Sequence, residues 1–246
     1  MDKLIYTAMT GASHTMQQQA AVAQNLANTN TPGFRAAIHT FRAVPLVGEG
    51  LPTRAFVVDS VAGADFSSGV LEPTGRSLDM AINGKGWIAV QTADGKEAYT
   101  RNGSLQIAPS GLLQTRSGLN VLGDAGPLTL APDTRVTIAQ DGSISASAGG
   151  VENAAAEIIG RIKLTNPQSA NLVRGDDGLF RNRDGKPAEA DANVNIVSGY
   201  LESSNVNAVE AMVNMITLAR QFDTQMKLLS TADNNARQAA KILSTN

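Results

Sequence analysis

The sequence predicts an α+β fold: long N- and C-terminal helices packed as a coiled-coil-like pair, with a central antiparallel β domain. Three observations carry that expectation. Apolar residues recur at steps of three and four only near the two ends of the chain. The middle alternates apolar and polar residues between Asn-Gly and Asp-Gly dipeptides. The stretch "QNLANTNTPGF", Gln24 to Phe34, closes off the first periodic segment with asparagines, threonines, a proline and a glycine. The expected divisions are a helix and turn over 1–34, an extended connector over 35–74, the β domain over 75–197 and a second helix over 198–246.

In the first segment Ile5, Ala12, Gln19 and Leu26 stand seven apart, with Met9, Met16 and Ala23 between them at the spacing of a helical seam. The spacing predicts a helix over roughly Lys3 to Ala27, about 37 Å long at 1.5 Å per residue. Asn28 is placed to close it, Thr31 before Pro32 is pushed to extended backbone, and Pro32-Gly33 fits the centre of a type II turn. Asn25, Asn28, Thr29 and Asn30 bring side chains able to bond backbone, and Phe34 is an apolar anchor for the turn. The segment from Arg35 to Thr74, with Pro45, Pro52 and Pro73, reads as the connector, carrying a strand at Ala55 to Val61.

The runs "DMAINGKGWIAVQT", "EAYTRNGSLQIA", "GLLQTRSGLNVLG", "RVTIAQDGSISAS" and "EIIGRIKLT" read as short strands. Asn83-Gly84, Asp94-Gly95, Asn102-Gly103 and Asp141-Gly142 mark the turns between them, and Asp177-Gly178 and Asp184-Gly185 mark two more. The C-terminal helix starts with a capping box, in which Asn207 accepts from the Glu210 amide and the Glu210 carboxylate reaches back. Its apolar line runs through Val209, Met212, Ile216, Ala219, Phe222, Met226, Leu229, Ala236 and Leu243, and this helix would extend about 54 Å over about 36 residues. Asp223 with Lys227 and Asp233 with Arg237 add ion pairs in the favourable order.

Both seams are weak. Ala12, Gln19 and Ala23 bury little area, and Gly11 costs about 1 kcal/mol relative to Ala. A hairpin of the two helices alone would be marginal, so the termini are expected to complete their packing against neighbouring subunits.

Composition narrows the chemistry. The chain has 246 residues and a net charge of −2, from 20 Lys plus Arg against 22 Asp plus Glu, with neither sign gathered into a run; nucleic acid is not an expected partner. Cysteine is absent, which removes thiol nucleophiles, thiolate metal sites and disulfides. No window approaches 18 apolar residues, so no membrane span is expected, and the first residues do not form a cleavable leader. His14 and His39 lie in different elements and assemble no base, orienter and nucleophile. Asp176, Asp177 and Asp184 lack the order of a calcium loop, and "NGKGW", Asn83 to Trp87, lacks the spacing of a phosphate loop. No catalytic residue, cofactor or metal is expected. The methionines Met9, Met16, Met212, Met215 and Met226 lie in the terminal helices, where a flexible thioether suits fitted interfaces.

At this point a resemblance enters. "NLANTNTPGFR" is similar to the N-terminal signature of the flagellar rod, hook and hook-associated axial proteins, with Asn25, Leu26, Ala27, Asn28, Thr31, Pro32, Gly33, Phe34 and Arg35 at its positions. "LDMAINGKGWIAV" with "AYTRNGSLQIAPSGLLQT" resembles the shared β region of hook and rod subunits, and "GYLESSNVNAVEAMVNMI" resembles the start of their C-terminal helix. Within that family "MDKLIYTAMTGA", "TPGFRAAIHTFRAVPL", "DDGLFR" and "QFDTQMKLLSTADNNARQAAKIL" look most like the flagellar basal-body rod proteins of the proximal rod. The distal-rod branch is the nearest alternative; it usually has "AYE" where this chain has Gln221-Phe222-Asp223.

The resemblance implies a structural subunit of the bacterial basal body that assembles with other rod subunits into a hollow axial tube, with the terminal helices in its inner wall. The rod crosses the periplasm and passes torque from motor to hook. Export would run through the flagellar type III apparatus without leader cleavage. The polymer-forming faces are then expected at Ile5, Met9, Ala12, Met16 and Leu26 and at Val209, Met212, Ile216, Phe222, Met226 and Leu229. Two less favoured readings are a secreted β-rich adhesin and a peptidoglycan hydrolase.

Overall fold

A computed structural model describes residues 2–45, 55–131, 134–148 and 157–243. Residues 46–54 of the expected connector, Pro52 among them, lie outside the described residues, as do the side chains of His39 and Leu243. The chain divides into two compact units, one made of Met1–Thr29, Ala36–Asp65 and Val206–Asn246, the other of Asn30–Arg35 and Phe66–Asn205.

The first unit contains the only two α-helices among the described residues, α1 (Asp2–Ala27, 26 residues) and α2 (Ala208–Leu243, 36 residues), with an antiparallel ribbon of Ala37–Pro45 and Ala55–Ala64. The ribbon shifts register between Ile38 and Thr40. Here the predicted fold class needs correction: the chain is a β-rich protein with two helices, and these are not packed as a coiled-coil-like pair. The large residues of the expected seam are in solvent: Met9 is 55% exposed, Met16 59%, Val209 70%, Met212 51%, Ile216 56% and Met226 46%. Of the remainder, Ala12 is buried, while Ile5, Leu26, Phe222 and Leu229 are half-buried.

The physical reason lies in side-chain size. The residues buried on the helices are Ala12, Thr15 and Ala21 on α1 and Ala211 and Ala232 on α2, too small to act as knobs in facing holes. A polar contact lies among them. Thr15 Oγ1 donates to the Gly11 carbonyl at 3.0 Å and to Gln225 Oε1 at 3.4 Å. A Cβ on Gly11 would lie 3.2 Å from Gln225 Nε2, so that glycine leaves room for the amide. On α2 the apolar periodicity holds, and its inward row runs through Ala211, Met215, Leu218, Phe222, Leu229 and Ala232: at Ala211 and Met215 it lies one step round from the expected line, and at Phe222 and Leu229 the two coincide.

The second unit is built from antiparallel pairs. Its main sheet has nine strands, along the path Leu172–Arg174, Phe180–Asn182, Glu97–Thr100, Trp87–Gln91, Asn120–Gly123, Leu113–Thr115 and Leu105–Ile107, with Gly126–Pro127 and Leu164–Thr165 attached to its side. Thr134–Ile138, Ser143–Ala148 and Glu157–Arg161 form a three-stranded sheet, Met80–Asn83 pairs with Asn195–Ser198, and Leu71–Pro73 pairs with Tyr200–Glu202. Inward residues of these strands make one core, including Met80, Ile82, Ile88, Val90, Leu105, Leu113, Val121, Ile144, Leu164 and Ile196. Burial of each large member stabilises the unit by about 1.5–3 kcal/mol. Phe66, Trp87 and Phe180 add an aromatic cluster with ring centres 4.6–5.9 Å apart.

Ile144→Ala, at a fully buried position, is expected to cost about 2–5 kcal/mol and to lower the urea midpoint accordingly. Ile216→Ala, on the exposed face of α2, is expected to change it by less than about 0.5 kcal/mol. A loss at Ile216 as large as that at Ile144 would restore the seam that the structure removes.

Candidate functional site

The "NLANTNTPGFR" stretch contributes to both units, with distinct work in each. In the helical unit Asn25 reaches twelve residues along the chain. Its Nδ2 donates to the Ala37 carbonyl at 3.0 Å, and its Oδ1 accepts from the Ala37 amide at 2.8 Å. The primary amide thus satisfies both backbone groups at the start of the ribbon. Asn28 ends α1: its amide reaches the carbonyls of Gln24 and Asn25 at 3.2 and 3.1 Å, and its side chain donates to Gln24 at 2.8 Å. Thr29 Oγ1 donates to the Leu26 carbonyl at 2.8 Å. These bonds answer the carbonyls a helix end leaves open. At the start of α2, Asn207 Oδ1 accepts from the amides of Val209 and Glu210 at 3.0 and 3.3 Å.

In the β-rich unit the Phe34 amide closes a turn on the Thr31 carbonyl at 3.3 Å, with Gly33 at φ 69°. The Gly33 amide donates to the Glu202 carbonyl at 2.7 Å. A Cβ on Gly33 would lie 2.3 Å from the Arg101 carbonyl carbon, a backbone atom that cannot step aside. Phe34 is buried beneath Arg174, whose guanidinium carbon is 4.4 Å from the ring centre, and Arg174 Nη1 donates to the Arg35 carbonyl at 3.0 Å.

The centre of this layer is Glu202, 1% exposed, at the end of strand Tyr200–Glu202. Its Oε1 accepts from Arg35 Nη2 at 2.7 Å and from the Gly69 amide at 2.9 Å, and its Oε2 accepts from Arg101 Nη1 at 3.0 Å. Arg101 also donates to the Gly84 carbonyl at 2.6 Å and lies 5.6 Å from the centre of the Trp87 ring. Burial holds the Arg101 guanidinium below the usual arginine range, Glu202 opposes that shift, and the nearby Arg35 charge adds to it. Burial alone lowers Arg174. The next residues along the chain continue the stitching: the Ser203 amide donates to the Val70 carbonyl at 2.8 Å, the Asn205 amide to the Phe34 carbonyl at 3.3 Å, and Asn205 Nδ2 to the Ser67 carbonyl at 3.1 Å.

Sequence reasoning placed Arg35 within a motif and gave Glu202, Arg101 and Arg174 no role. A glutamate inside "GYLESSN" carries no local sign of burial, because its partners lie 167 and 101 residues away. Among the described residues no group of three or more His, Asp or Glu is placed to hold a metal, and no helix is long and apolar enough to cross a membrane.

A β-rich unit is fastened where the chain comes in and goes out, and the helices leave large apolar residues uncovered. The comparisons give the class of structural protein to which this arrangement belongs. Three family models match the chain: Flagella basal body rod protein over residues 5–35, Flagellar hook protein FlgE/F/G D1 domain over 81–146, and Flagellar basal body rod FlgEFG protein C-terminal over 197–242. The flagellar basal-body rod protein FlgF of Escherichia coli (strain K12) is 48% identical over 250 residues, covering 99% of each chain, and FlgF of Salmonella typhimurium (strain LT2) is 47% identical over the same span. The flagellar basal-body rod protein FlgG of Agrobacterium fabrum (strain C58) is 30% identical over 259 residues, covering 96% of this chain and 97% of the relative. The chain belongs to the flagellar basal-body rod protein family. Arg35, Arg101 and Glu202, joined in one ion-paired cluster, come one from each of the three matched regions.

Removing the Glu202 charge leaves two buried guanidiniums uncompensated, so Glu202→Gln is expected to cost about 3–5 kcal/mol in urea unfolding. Gly33→Ala and Gly75→Ala make a matched pair at φ 69° and 71°. A Cβ on Gly75 meets nothing within 4 Å, so that variant is expected to lose only about 1–2 kcal/mol of conformational energy. The Gly33 variant is expected to lose several times more, read in the same melts.

Proposed function

We infer that this protein is a structural subunit of the flagellar basal-body rod, of the proximal-rod type, working in association with other basal-body rod components. Identity to FlgF at 48% against 30% to FlgG supports the proximal over the distal branch. The observation that carries an assembly role within the chain is the exposed apolar surface of the helical unit. On α2, Val209, Met212, Val213 and Ile216 follow one another at steps of three, one and three and are each more than half exposed, at 70%, 51%, 57% and 56%; on α1, Tyr6, Met9 and Met16 are 63%, 55% and 59% exposed. Large apolar residues in such continuity mark a surface that another molecule covers.

In this reading the large residues expected on the polymer-forming faces act between chains. Met9, Met16, Val209, Met212, Ile216 and Met226 pack on neighbouring rod subunits, while Ala12, Ile5, Leu26, Phe222 and Leu229 support the unit that presents them. Unlike surfaces on the two sides of such a subunit make heterologous contacts, which continue into a helical array when they do not close. Torque then passes through many small packed contacts. The role is non-enzymatic, with no cofactor. Delivery by the flagellar type III export apparatus without a cleaved leader completes the proposal.

Met16→Asp and Ile216→Asp change exposed positions, so the purified variants are expected to keep the wild-type melting profile within about 0.5 kcal/mol. The same variants are expected to be missing from isolated basal bodies and to abolish swimming in a strain that depends on this protein. Normal swimming with either variant would remove these helices from the assembly surface.

A further inference from the structure

Two guanidinium groups in the β-rich unit, those of Arg35 and Arg101, share a single carboxylate, and a third, that of Arg174, is bound to the same layer. Arg35 and Arg101 occupy both oxygens of Glu202, and Arg174 is tied to the layer through the Arg35 carbonyl. Four buried nitrogens among these arginines have no acceptor among the described residues: Nε and Nη1 of Arg35, Nε of Arg101 and Nε of Arg174. Aromatic rings cover two of the three cations, Trp87 for Arg101 and Phe34 for Arg174. Arg35, 1% exposed, has neither a ring contact of that kind nor a second acceptor among the described residues.

Unsatisfied buried donors are uncommon in folded proteins, and on a charged group they are costly. Here two cations face one anion, and the excess is positive. We infer that this layer is a binding site for a small inorganic anion of the chloride class, held by Arg35 Nη1 and favoured by the charge of Arg101. The burial of Arg35 decides the ligand's size. A carboxylate from a neighbouring molecule does not reach a side chain this enclosed, whereas a monatomic anion needs only a few donors and no polar shell of its own. The site is independent of the rod reading, since it rests on this chain's own side chains.

The test uses the full-length protein. Thermal unfolding is followed in sodium chloride and in sodium gluconate at equal ionic strength, so that screening of surface charges is the same while the larger gluconate is kept out of the buried layer. An anion that binds the folded state alone raises Tm with its concentration. The expected result is a Tm that climbs with chloride but not with gluconate, and an Arg35→Lys variant, which keeps the charge but removes Nη1, in which the climb is lost. Diffraction from wild-type crystals soaked in bromide reads the site directly. An anomalous peak within hydrogen-bond distance of Arg35 Nη1 supports the assignment. Equal Tm values in the two salts, a water at that position, or bromide only on the surface overturns it.

Discussion

One buried carboxylate organises the β-rich unit. Glu202 binds Arg35 from the segment that brings the chain into the unit, Gly69 from the segment that brings it back, and Arg101 from the loop between two strands of the main sheet; its own carbonyl takes the Gly33 amide. A buried ion pair of this kind adds little net stability compared with apolar packing, because desolvation offsets much of the attraction. Its value lies in selectivity. An alternative pairing of these segments would leave a guanidinium or the carboxylate alone in the interior, and that error is expensive enough to exclude most of them.

The helical unit follows the opposite principle. Its fully buried helix residues are small and many of its large apolar residues point outward, with Met16 at 59% and Val209 at 70% exposure beside Ala12 at 7% and Ala211 at 7%. For a protein that acts alone this is an aggregation liability. For a rod subunit it divides the labour: alanines and threonine let the backbones approach, and the methionines and β-branched residues are kept for other molecules. Met is well suited to surfaces that meet partners of unequal shape.

The β-rich middle was legible because its turns announce themselves. Asn83-Gly84, Asp94-Gly95 and Asp141-Gly142 follow or separate strands, and their glycines have φ of 88°, 76° and 85°. Asn102-Gly103 looks the same on paper and is different in space: Gly103 is glycine because a Cβ there would lie 1.8 Å from the Met80 carbonyl oxygen. The direction in which α2 faces was not legible. Its sequence supports two apolar lines a residue apart, and the choice between Met212–Ile216 and Ala211–Met215 depends on what the other helix can admit. Nor could the Glu202 cluster be found, since nothing near Glu202 or Arg101 in sequence distinguishes them from solvent-facing charges.

Asn25 shows why the motif asks for an amide where a carboxylate would have the same shape. Its side chain behaves as a one-residue strand, offering Ala37 a donor and an acceptor in the arrangement a neighbouring backbone would offer. An aspartate could still receive the Ala37 amide, but it would set its second oxygen against the Ala37 carbonyl with no proton between them. Deamidation at this single atom would therefore act as slow chemical wear on the joint between helix and ribbon, invisible in size and felt only as repulsion.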